Sequence, residues 1–314
     1  MAPGRGRRQP GGGEIRVSSR RSRRGMMAGM TTDSACLAKR RAAYAREVAA
    51  RYGLPDPAVE AAFAKVPREA FLGPPPWLTG SGGPPDAWST TSDPEALYDD
   101  KLVALDRAKG INNGQPSLHA HCIAALELTR RDRVLHVGTG TGYYTAILAE
   151  LAGSVDGYEI EPILAARAVE NLARWPNVTI HSESGAGRRL PEADAIYVSA
   201  GASHPEKFWL GALRQGGRLL FPLTGDATWG GWGAMLLVRR LGQSFAARFV
   251  MNCGFINCAG VRDPVTAARL NEVFKAGGKD AVRSLTRKPP SGASVWFAGD
   301  GWYLSTEPPT ESTP

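Results

Sequence analysis

Residues Val134–Glu161 read VLHVGTGTGYYTAILAELAGSVDGYEIE, and this stretch decides the fold. Val134, Leu135 and Val137 suit a strand covered on both faces, as parallel strands are. Gly138, Gly140 and Gly142 then let the chain turn sharply and let its backbone approach a ligand closely. Tyr144 to Leu151 predict a helix, and Val155 to Ile160 a second strand. Glu159 stands 19 residues after Gly140, where such a unit puts a carboxylate that binds ribose hydroxyls. The pattern predicts a nucleoside-containing cofactor on a doubly wound α/β sheet. The plainer reading is a purely structural turn between strand and helix.

The glycine spacing narrows the cofactor. A dinucleotide fingerprint, GxGxxG, needs its third glycine at position 143, which is Tyr143. The sequence instead reads GxGxG with threonines between, the spacing familiar from S-adenosylmethionine (SAM) methyltransferases.

Outward from this unit, alternating strand and helix patterns between residues 117 and 222 predict one doubly wound sheet. Upstream, Ser34 to Tyr52 and Asp56 to Phe63 predict helices, and Pro67 breaks the second. Asn112, Asn113, Gly114 and Gln115 form a polar loop, and Pro116 opens a helix that leads into the first cofactor strand. The loop is therefore expected near the cofactor, with a helix-capping turn as the plainer account. His119 and His121 lie two apart on that helix and point to different faces, which disfavours a two-histidine metal site. Downstream, Ala234–Arg239 and Phe245–Met251 predict an antiparallel pair. Asp263 and Pro264 start a helix to about Lys275, and Ser294–Ser305 predicts a hairpin turning at Gly299–Gly301.

The 314 residues are 43% hydrophobic, enough for a substantial core, and no stretch approaches a membrane span. The net charge of +8 would invite a nucleic-acid reading, but residues 1–25 alone carry a net +7. That segment is rich in Gly, Arg and Ser, and residues 1–30 are expected to be a disordered basic tail. A nucleic-acid-binding arm is one reading of it; a translation start at Met26, Met27 or Met30 is the preferred one. Cys36, Cys122, Cys253 and Cys258 form no CxxC pair, which predicts reduced thiols in a cytoplasmic protein and no metal site.

Several motifs in order then support a family. AFAKVPREAFLGP (62–74), YDDKLVAL (98–105), GQPSLHA (114–120), VLHVGTGTGYYTAILAEL, DAIYVSAGA (194–202) and LRQGGRLLFPL (213–223) together resemble the protein-L-isoaspartate O-methyltransferase family. The resemblance covers residues from about 60 to 260. It implies a Rossmann-like SAM-dependent methyltransferase domain over 31–260 with an N-terminal helical cap, followed by a C-terminal extension over 261–314. It implies SAM contacts from Gly138, Thr139, Gly140, Thr141, Gly142, Glu159, Ile160, Glu183 and Ser184. Three stretches depart from the family pattern. His136 replaces the usual acidic residue of the glycine motif, which would alter contacts with the cofactor's amino end. Glu183 and Ser184 replace Asp-Gly. Gly114 stands where the loop carries a serine, and Asn112 where it carries a threonine.

The resemblance implies methyl-ester formation on isoaspartyl or aspartyl residues of a protein or peptide substrate, with cyclisation to succinimide. Asn112, Asn113 and Gln115 offer amide donors and acceptors that could position the carboxylate in place of the missing hydroxyl. An adenine amino methyltransferase fits less well, because SAGASHP stands where such enzymes carry an Asn/Asp-Pro-Pro-aromatic motif. The competing class is a SAM-binding protein that recognises acidic or damaged peptides without turnover.

Overall fold

The glycine-turn unit forms as its sequence requires, at the centre of one large sheet. The structure, a computed structural model, describes residues 21–53, 55–82, 87–226, 231–290 and 294–309, with side chains from residue 35 onward. Two units divide after Lys39. The first contributes helical residues 21–39, so part of the segment expected to be a disordered tail is helical; residues 1–20 lie outside the described residues. That helix, α1, is Arg21–Ala50.

In the second unit α2 (Pro57–Lys65) is capped by Asp56, whose carboxylate accepts the Ala58 and Val59 N–H groups. A small antiparallel sheet follows, from β1 (Trp77–Gly80), β2 (Ser89–Thr91), β3 (Leu102–Asp106) and β4 (Ile111–Asn112), in the order β2-β1-β3-β4. The segment 96–105, whose sequence suits a strand or an extended arm, begins in a short 3-10 turn, Pro94–Tyr98, and becomes strand from Leu102. Next come α3 (Pro116–Ala125), β5 (Arg133–Val137), α4 (Tyr143–Leu151), β6 (Ser154–Tyr158), α5 (Pro162–Asn171), β7 (Val178–His181) and β8 (Ala193–Val198). After them stand α6 (Lys207–Ala212), β9 (Leu213–Thr224), β10 (Gly231–Leu241) and β11 (Ser244–Phe255). The chain ends with α7 (Pro264–Ala276), β12 (Ser284–Thr286), β13 (Val295–Ala298) and β14 (Tyr303–Ser305).

Among the described residues the large sheet has ten strands, ordered β13-β14-β12-β11-β10-β9-β8-β5-β6-β7. Strands β5 to β9 are parallel, with Val134 opposite Val155 on one side and Ala195 on the other. Chain order reverses between β5 and β8, so the crevice at their C-terminal ends is the natural ligand site of such a sheet.

The C-terminal extension is not a separate layer. β9 to β14 continue the sheet with antiparallel pairs, and Leu270, Val282, Leu285, Phe297 and Leu304 join Leu135, Ile196, Trp209 and Phe221 in one buried core. The boundary expected at 260 therefore crosses a continuous core rather than a linker. We predict that Leu304→Ala, at a fully buried position, lowers the stability of the whole domain by about 2–5 kcal/mol in urea unfolding. A change of under about half a kcal/mol would make the extension an appendage.

Candidate active site

The turn after β5 is built from three glycines in the left-handed region: Gly138 at φ +81°, Gly140 at +56° and Gly142 at +97°. The N–H of Gly138 bonds the Tyr158 carbonyl at 2.9 Å, which clamps the turn against the end of β6. Gly140 donates its N–H to Glu159 Oε2 at 2.7 Å, and Glu161 donates its N–H to Oε1 at 3.0 Å. Glu159 is buried, and burial raises its carboxyl above the ordinary value against the pull of those two N–H bonds. Gly142 caps α4 without a side chain, leaving the helix's first N–H groups at the turn. Thr139 is buried with its Oγ1 unpartnered, and Thr141 is buried beside it with its carbonyl held by Asn171. An orphaned hydroxyl, a helix N-terminus and a buried carboxylate at one turn fit a polar ligand carrying ribose hydroxyls.

The turn over residues 182–187 closes the other side. A Cβ on Gly185 would sit 2.7 Å from Val137 Cγ2 and 3.0 Å from the Tyr158 Cβ, so this turn lies on the ends of β5 and β6. It places Glu183 and Ser184 at the same edge as Glu159. Glu183 is ion-paired with Arg188, and Ser184 Oγ accepts the Ala186 N–H at 3.1 Å. Ile160 is half exposed beside Glu159. Leu105 of β3 covers Gly140 from the small sheet, where a Cβ would approach it to 3.2 Å.

His136 is fully buried within β5. Its Nδ1 lies 2.9 Å from Thr145 Oγ1 and its Nε2 3.0 Å from Ser199 Oγ, and its ring stacks on Tyr197. Burial pushes its pKa down to about 3, so the ring is neutral and supplies a dipole where an acid would supply a charge. Both nitrogens are committed within the fold.

The polar loop packs onto the same centre, because Tyr144, in the first turn of α4, donates its hydroxyl to the Gly114 carbonyl at 3.2 Å. Within it, Asn112 Oδ1 accepts the Gly114 N–H at 2.9 Å. Asn113 is buried; its Oδ1 accepts the Val103 N–H at 2.8 Å and lies 3.4 Å from Arg68 Nη2, while its Nδ2 has no partner. Gln115 Nε2 donates to Asp100 Oδ2 at 2.9 Å, and Asp100 also accepts the Ser117 N–H, which caps α3. The structure thus brings Asn112, Asn113 and Gln115 beside the glycine turn, with much of their hydrogen-bonding capacity spent on shaping the loop. Asn112 keeps its Nδ2 without a partner among the described residues. His119, Tyr144, Tyr197 and Ser199 are neighbours that sequence reading missed. A histidine five residues after a glycine in a hydroxyl's place was the available signal.

The profile of the protein-L-isoaspartate(D-aspartate) O-methyltransferase family matches residues 86–261, more than half of the chain. The chain belongs to this family. It is similar to protein-L-isoaspartate O-methyltransferase 2 of Anaeromyxobacter sp., with 35% identity over 189 residues covering 59% of this chain and 69% of the relative. A Rhodopseudomonas palustris enzyme of the same family is 36% identical over 206 residues, covering 63% of this chain and 83% of its own. Among solved structures, a protein-L-isoaspartate O-methyltransferase aligns with TM-score 0.53 and 21% identity over 74% of this chain and 67% of that one. A Plasmodium falciparum member, solved with S-adenosyl-L-homocysteine, aligns with TM-score 0.53 and 18% identity over 69% of this chain and 97% of its own. Both likenesses establish the fold.

Among the described residues no cluster of His, Cys, Asp or Glu is set to hold a metal, and no helix is long and apolar enough to cross a membrane. Glu159→Gln is expected to weaken S-adenosylhomocysteine binding at least about tenfold by calorimetry, through loss of a charge-assisted acceptor. For His136, the folded pKa lies below the unfolded one, so protonation favours unfolding. Stability is then lost as pH falls from about 6.5 toward 3. Urea unfolding of wild type and His136→Gln at pH 7 and pH 5 reads this, and the variant should lack that share of the slope.

Proposed function

We propose that this protein transfers a methyl group from SAM to the free carboxylate of isoaspartyl residues in proteins or peptides, giving an ester that can cyclise to succinimide. The observation that carries the reading is the buried Glu159 on the Gly138–Gly142 turn, at the switch point of a sheet belonging to this family. SAM, when bound, supplies a methyl group on a sulfonium whose leaving group is neutral. A carboxylate nucleophile is already ionised at neutral pH, so the site needs no general base. What the chain must provide is alignment and the exclusion of water.

Each part has a residue. Glu159 holds the ribose hydroxyls, while Gly138, Thr139, Gly140, Thr141 and Gly142 take the methionine portion. Ile160, Glu183 and Ser184 flank the adenine. The loop of Asn112, Asn113 and Gln115 shapes the side where the carboxylate enters, and Leu105 covers the turn at Gly140. The loop would hold the carboxylate oxygen in line with the methyl carbon that bound SAM would supply. The same reading places the protein in the cytoplasm, where the buried thiols Cys122, Cys253 and Cys258 stay reduced.

Incubation with methyl-labelled SAM and an isoaspartyl peptide is expected to yield a methyl ester that base releases as methanol. The aspartyl isomer should react at least about a hundredfold more slowly. Labelled SAM bound with no ester formed would replace the enzyme by a binding protein, and a base-stable product would overturn carboxylate methylation.

A further inference from the structure

Gly114 stands where the family's loop carries a hydroxyl, and any side chain there is excluded twice over. The backbone is left-handed, at φ +74°, and a Cβ would lie 2.1 Å from Nε2 of His119. The imidazole of His119 has taken the volume that a residue at 114 would fill. It comes from the first turn of α3, where the His119 N–H bonds the Gln115 carbonyl at 3.2 Å.

The ring is held on several sides. It stacks on Tyr144 with centroids 3.7 Å apart and planes at 9°, and Phe255 meets it edge-on at 5.9 Å. Nδ1 lies 2.7 Å from the Tyr197 hydroxyl. His119 is only 2% exposed, yet its Nε2 has no hydrogen-bond partner among the described residues. With Nδ1 taken by Tyr197, Nε2 is the ring nitrogen left for an incoming acceptor. Burial keeps the Tyr197 phenol protonated, so it can donate to Nδ1 and leave the imidazole proton on Nε2. Burial first, then His136 and Arg68, hold the His119 ring neutral. Asn112 Nδ2 is a second donor without a partner among the described residues.

We infer that the Nε2–H of His119 replaces the missing loop hydroxyl and donates the hydrogen bond that holds the substrate carboxylate beside Gly114. This rests on the proposed carboxylate methylation and adds the residue that positions its substrate. Gly114 and His119 act as a pair, the glycine giving up its side chain so that the histidine can reach the same place from the helix. Asn113 and Gln115, by contrast, set the shape of the loop.

The test is binding of an isoaspartyl peptide to the full chain saturated with S-adenosylhomocysteine, which requires no turnover. His119→Gln carries an amide nitrogen to about the reach of Nε2, whereas His119→Asn stops near Nδ1. Asparagine is expected to weaken peptide binding at least about tenfold and glutamine no more than about threefold. Affinity for S-adenosylhomocysteine should stay level in both, a split that a merely structural role for the ring would not give. If the asparagine variant does not fold, His119→Met fills the volume without a donor and takes its place. Equal peptide affinity for the donor-bearing and donor-lacking variants overturns the inference. A wild-type protein that binds the peptide without esterifying it overturns the activity instead and leaves the binding comparison standing.

Discussion

A buried guanidinium holds the front of this molecule together. Arg68 is fully buried, and against the opposing pull of burial the nearby Asp100 carboxylate favours its charge. Among the described residues it has no carboxylate partner at ion-pair distance. Its Nη1 donates to the carbonyls of Leu97 and Asp99, and its Nη2 to the Lys101 carbonyl at 2.6 Å and toward Asn113 Oδ1. Those acceptors lie on the chain that runs into β3 and on the loop after β4. One charge therefore ties the carbonyls of Leu97, Asp99 and Lys101 to the loop at Asn113. The loop that ends at Gly114 hangs from that anchor, and so does Leu105 over the glycine turn.

Behind the loop, neutral histidines and hydroxyls stand between β5, β8 and α3. His136 joins Thr145 to Ser199 and stacks on Tyr197, which in turn reaches His119. The substitution of His136 for an acid thus removes a charge and adds a dipole whose two nitrogens are both satisfied. In so dry a setting a neutral, fully paired ring costs far less than an unpaired carboxylate. The chemistry does not suffer in principle, since a carboxylate and a sulfonium react once aligned.

The C-terminal strands serve the site at a distance. By pairing β12 with the start of β11, they extend the sheet and bury its far edge under Leu285, Phe297 and Leu304. They also lock the strand that carries Phe255 up to His119.

The sequence by itself determined the sheet class and the cofactor turn. Left-handed glycines, a buried apolar strand and a carboxylate 19 residues on are local requirements of backbone geometry, so local spacing reveals them. It also placed β10, β11, α7 and the last hairpin to within a few residues, because alternation and caps are short-range. The tertiary structure alone decided what the polar loop is for. Asn113 and Gln115 look like ligand groups until Val103, Arg68 and Asp100 arrive from elsewhere to claim them. Equally, His119 looked idle until folding set its Nε2 in the place left open by Gly114. A side chain's free hydrogen-bonding capacity is what remains after distant partners have taken their share, and no spacing along the chain records those partners.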